Sequence, residues 1–137
     1  MKSLKTLIKL HKQKLDDLVK QINNLEEKKR AHETSLKKLK AEILAELKKY
    51  MGTEYAFMLD NYMKSAEDRE LKFKAEIKAL EEEIAVLREE LALAFAELKK
   101  FEIALQNRIN AEREAERKAE VKSLDEFNSI KYVKDKN

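Results

Sequence analysis

The 137-residue chain contains no cysteine, no proline and no tryptophan, and it has one glycine, Gly52. Each absence removes a class of structure or chemistry. Without cysteine there is no disulfide framework, no thiolate metal site and no sulfur nucleophile, which suits a reducing cytosol. With one glycine and no proline, the chain lacks the residues that reverse the backbone in sheet proteins and in α/β domains with many connections. Long apolar runs are missing as well. Lysines at positions 2, 5, 9, 12 and 14 interrupt the amino-terminal stretch before it reaches signal-peptide length. No segment approaches the ~20 apolar residues of a membrane span. The expectation is a soluble, cytoplasmic, all-α protein.

What is present agrees. Ala, Glu, Lys, Leu and Arg supply 85 of the 137 residues, the composition of long helices and coiled coils. Charged residues make up 42% of the chain, so its apolar residues are expected in stripes and not in a large globular core.

Counting from Leu4 in alternating steps of four and three gives Leu4, Ile8, His11, Leu15, Leu18, Ile22, Leu25, Lys29, His32, Leu36, Leu39, Ile43, Glu46 and Tyr50. Ten of these fourteen are apolar and the phase never slips, which is the pattern of a helix with one narrow seam. A second phase reads Phe73, Ile77, Leu80, Ile84, Leu87, Leu91, Ala94, Leu98, Phe101 and Leu105, and passes back through Glu70, Ala66, Met63 and Leu59. The pattern predicts one hairpin domain over residues 1–137: a helix at about 3–50, a turn at 51–54, a longer helix at about 55–127 and a frayed tail at 128–137. Gly52 would end the first helix and Thr53 would cap the second.

Charge indicates that the two helices pair with each other. Residues 1–50 hold 14 basic and 7 acidic side chains, net +7, while residues 51–110 hold 9 and 13, net −4. Two copies of the first arm would repel, whereas folding the second arm back brings opposite fields together. Setting Leu4 opposite Leu105 places Leu18 near Leu91, Leu25 near Ile84 and Ile43 near Ala66. The second helix would then overhang the first from about residue 106, as a long antiparallel coiled-coil hairpin of a monomer. In the overhang the seam fades, and a helix polar all round bridges, binds or frays.

Little in the sequence points to catalysis. His11 and His32 are three heptads apart on the seam, about 30 Å along one helix, too far to share an ion. They are expected as polar interruptions that fix register and make the packing pH-sensitive, because charging an imidazole on an apolar seam disfavours it. The runs Glu81-Glu82-Glu83 and Glu89-Glu90 lack the glycine-bearing loop of a calcium site and read as a solvated face. No phosphate-cradling loop, zinc helix or nucleophile elbow is present. No catalytic residue, metal or cofactor is expected. Lys2, Lys5, Lys9 and Lys12 line one face, which raises nucleic acid or anionic lipid as partners, but a net charge of +3 is small for that role. The cluster Tyr50, Met51, Tyr55, Phe57, Met58, Tyr62 and Met63 either plugs the end of the coiled coil or forms a docking patch for a protein.

The opening Leu4-Lys5-Thr6-Leu7-Ile8-Lys9-Leu10 through Asp16-Asp17, Asn61-Tyr62 about nine residues after the turn glycine, and Arg113-Glu114-Ala115-Glu116-Arg117-Lys118 leading to Leu124-Asp125-Glu126-Phe127 together resemble the FliJ family of flagellar type III export proteins. The YscO-like stalk proteins of virulence-type secretion are similar. Where the family commonly has an aromatic three residues after the tyrosine, this chain has Ser65.

The resemblance implies a non-enzymatic protein that links a hexameric export ATPase (FliI-like) to an export gate protein (FlhA-like), with export chaperones as further partners. No nucleic acid is implied, and the membrane is met through partners alone. By the same resemblance, Lys2, Lys5, Lys9, Arg108, Arg113, Arg117, Asp125 and Glu126 would contact the ATPase ring. Leu39, Tyr50, Tyr55 and Tyr62 would face the gate. A generic structural adaptor or dimerisation arm is the rival reading.

Overall fold

The structure is a computed structural model that describes residues 2–136, with side chains up to residue 134. Two long helices account for nearly all of it: α1, Lys2–Tyr50, and α2, Leu59–Lys136, with a single 3-10 turn at Ala56–Met58 between them. No strand occurs among the described residues. The fold is a helical hairpin.

The turn is built from Gly52 and Thr53. Gly52 has φ +79°, the left-handed conformation that ends helices and that a Cβ would strain. The Thr53 N–H bonds the Tyr50 carbonyl at 3.1 Å, and the Thr53 hydroxyl donates to the same oxygen at 2.6 Å. That hydroxyl also accepts the Tyr55 N–H at 3.3 Å. Thr53 thus closes α1 and holds the connecting turn, and it is not the cap of α2, which begins at Leu59 after the 3-10 turn. Charges suit the ends: Lys48 and Lys49 sit in the last turn of α1 and Asp60 in the first turn of α2.

All fourteen seam positions of α1 from Leu4 to Tyr50 are buried or half-buried, and so are all fourteen of α2 from Leu59 to Leu105. By contacts the chain forms two compact units: Met1–Gln13 with Ala94–Asn137, and Lys14–Leu93.

In the Lys14–Leu93 unit the core is Leu18, Ile22, Leu39, Ala66 and Ile84, with Leu39 and Ala66 the most enclosed at 2% exposure. Lys29 Nζ lies 3.3 Å from Glu81, His32 Nδ1 lies 3.1 Å from Glu76, and Arg88 pairs with Glu26. Placing Leu4 opposite Leu105 puts Lys29 opposite Leu80 and His32 opposite Ile77. The partners of Lys29 and His32 are one residue away and Arg88 reaches Glu26 from five residues beyond Glu83, so the helices are antiparallel and close to the expected register.

In the other unit, Leu4, Ile8, Ala94 and Leu98 are buried, and the His11 ring packs on Phe101 with centroids 4.9 Å apart. Here α2 has no break after the seam ends. It is helical to Lys136, with no glycine or proline to interrupt it.

Candidate functional site

Every side chain from residue 110 to residue 134 is exposed. This part of α2, about 25 residues, has no helix beside it. Intrahelical contacts stiffen it. Gln106 donates to Asn110 at 3.0 Å, and the Arg117 guanidinium forks onto Glu114 through Nε at 3.2 Å and an Nη at 2.7 Å. The fork holds the Glu114 carboxyl below its ordinary range and raises Arg117.

The residues assigned to an ATPase ring fall within this unit. Lys2, Lys5, Lys9, Arg108, Arg113, Arg117, Asp125 and Glu126 are all exposed, the first three on α1, Arg108 just before the bare part of α2 and the others on it. Of these, Arg117 is already engaged by Glu114, so it presents a paired and not a free charge.

Apolar residues of the same segment stand out and were not among the expected site residues. Val121, Leu124, Phe127, Ile130 and Val133 are between 46% and 66% exposed. Their steps of three do not follow the four-three alternation of a seam, so they wind around the helix and a heptad count passes over them. Ser129, Ile130, Val133 and Lys134 border a shallow apolar depression there.

The residues assigned to an export gate lie in the Lys14–Leu93 unit and divide three ways. Leu39 is buried in the core and does not belong to a surface; its position on the seam between Leu36 and Ile43 is the reason. Tyr50 and Tyr62 are half-buried. Tyr50 packs edge-on against Tyr55, centroids 6.4 Å apart, with Lys49 Nζ 5.2 Å from its ring centre.

Tyr55 is 51% exposed, and beside it Met51, Phe57 and Met58 are 66%, 74% and 55% exposed. The cluster divides by exposure. Tyr50, Tyr62 and Met63 cover the end of the seam, and Met51, Tyr55, Phe57 and Met58 form an apolar surface.

The histidines differ from the expectation in one respect. His32 is half-exposed, with Glu76 at 3.1 Å and the Phe73 ring centroid at 6.1 Å. The seam at His32 is therefore not purely apolar, because the Glu76 carboxylate faces the imidazole. Among the described residues, no group of three or more His, Cys, Asp and Glu is placed to hold a metal ion. No helix of the described residues is long and apolar enough to cross a membrane.

A family model described as Flagellar FliJ protein matches residues 1–137, the full length of the chain. No curated protein and no solved structure matches it. With the helical hairpin and the whole-length match in agreement, the chain belongs to the flagellar FliJ protein family and is a flagellar export-related protein.

Proposed function

We propose that the chain is a non-enzymatic stalk of the flagellar export apparatus that engages the hexameric export ATPase with the bare end of α2 and the export gate with the apex of the hairpin. On this reading it works in the cytoplasm as a monomer and reaches the membrane through its partners. The observation that carries it is the exposed helix at residues 110–134, on which Val121, Leu124, Phe127, Ile130 and Val133 stand out among charges of both signs. Local pairs such as Glu114–Arg117 support a helix of that kind in water, and it gains from a partner that covers Val121, Leu124, Phe127 and Ile130. The charged residues Arg108, Arg113, Asp125 and Glu126, with Lys2, Lys5 and Lys9 of the same unit, would orient it in the ring.

The apex supports the second contact. Met51, Tyr55, Phe57 and Met58 are adaptable or aromatic side chains of the kind enriched where proteins dock. The test is to add the purified chain to its cognate export ATPase. Faster hydrolysis and more hexamer are the expected result. A generic adaptor would change neither.

A further inference from the structure

Within the Lys14–Leu93 unit, α2 carries a second stripe in addition to its seam. Ala75, Ala79, Glu82, Val86, Glu89 and Leu93 follow steps of four, three, four, three and four, and all six are exposed. Val86 and Leu93, seven residues apart, are 55% and 73% exposed. Seven-residue recurrence of this kind holds a partner helix, and a helix that is apolar on two faces ordinarily has cover on both. Alanines at 75 and 79 keep the face shallow enough for close approach.

The charges of this face are unbalanced. Glu81 is engaged by Lys29, and Arg88 by Glu26. Glu82, Glu83, Glu89 and Glu90 make no ion pair among the described residues. Four carboxylates that lack an ion pair, beside exposed aliphatic side chains, repel an acidic helix and attract a basic one. Next to the stripe, Gln21, Asn24 and Leu25 of α1 and Glu83, Val86 and Leu87 of α2 line a groove of about 300 Å³, open to a side chain from outside.

We propose that this face of α2 docks one helix of another protein, a basic amphipathic helix with aliphatic residues in heptad steps and lysine or arginine beside them. Its aliphatic residues cover Val86 and Leu93, its cations meet Glu82, Glu83, Glu89 and Glu90, and one side chain enters the groove by Leu25 and Leu87. The inference does not rest on the stalk reading, since it uses neither the apex nor the bare end of α2.

The test is fluorescence anisotropy of a labelled helical peptide about three heptads long, with leucines in four-three steps flanked by lysines, titrated with the full chain. The lysine peptide should bind, and the same peptide with glutamate for lysine should not. Glu82→Lys/Glu89→Lys and, separately, Leu93→Gln should each weaken binding by about tenfold or more. Both variants alter exposed positions, so their helical content and thermal midpoint should match the parent's. No binding, or equal binding by parent and variants, would overturn the proposal. So would a parent chain that sediments as a dimer and a lysine-bearing variant that sediments as a monomer, because the face would then belong to a second copy.

Discussion

His32 Nδ1 of α1 stands 3.1 Å from the Glu76 carboxylate of α2, one of three polar links that join the helices within the Lys14–Leu93 unit. The others are Lys29 with Glu81 and Arg88 with Glu26. All six side chains are partly exposed, so each link contributes little to stability, about 0–1 kcal/mol. Their effect is on register. A slip of one heptad would set Lys29 against Lys74 or Arg88 in place of Glu81.

A double-mutant cycle on Glu26 and Arg88 is expected to give a coupling of about 0.5 kcal/mol, falling as salt is raised. Chemical denaturation of the two single variants and the double variant measures it.

The packing makes a sharper forecast at two neighbouring leucines. Leu39 is 2% exposed and Leu44 is 62% exposed. Leu39→Ala should lower unfolding free energy by about 3 kcal/mol, and Leu44→Ala should stay within about 0.5 kcal/mol of the parent. Urea midpoints at constant slope report both.

At the turn, the Cβ of a Gly52→Ala variant would meet no atom within 4 Å, so crowding is not the issue. The cost is the backbone: φ +79° is unfavourable for any residue with a Cβ. The variant should be destabilised by about 1 kcal/mol, and Gly52→Asn by less, since asparagine tolerates the left-handed region. Thermal unfolding followed by circular dichroism ranks them.

The Glu114–Arg117 fork has a definite pH sign. The carboxyl of Glu114 is held below its ordinary range by Arg117, so its support for the helix is complete above that range. The support is lost as pH falls through the lowered value. Side-chain NMR of Glu114 should therefore titrate at lower pH than the carboxyl of a fully solvated glutamate. Arg117→Gln should return it to the ordinary range.

The seam was legible because the heptad count is insensitive to isolated polar residues: Lys29, His32, Glu46 and Glu70 are half-buried on it just as the pattern required. Gly52 was legible for a different reason, as the chain's one residue free to take a positive φ. The end of α2 has no such marker, because the polar stretch after Leu105 removes the seam but supplies no stop signal, and α2 runs to Lys136.

Thr53 was misjudged since a threonine beside a turn can close the helix before it or open the one after it, and the hydroxyl bond to Tyr50 selects the former. At the candidate site, charged residues were readable one at a time. The exposed set Val121, Leu124, Phe127, Ile130 and Val133 was not, because it has no four-three phase and becomes visible as a surface only when no second helix lies along it.

The central claim is that the bare end of α2 acts on the export ATPase. The direct measurement is the hydrolysis rate and hexamer content of the cognate ATPase with the complete chain and with a chain ending at Gln106, which keeps both seams. The complete chain should stimulate hydrolysis and assembly, and the shortened chain, with unchanged thermal midpoint, should do neither. Equal stimulation by the two would contradict the account.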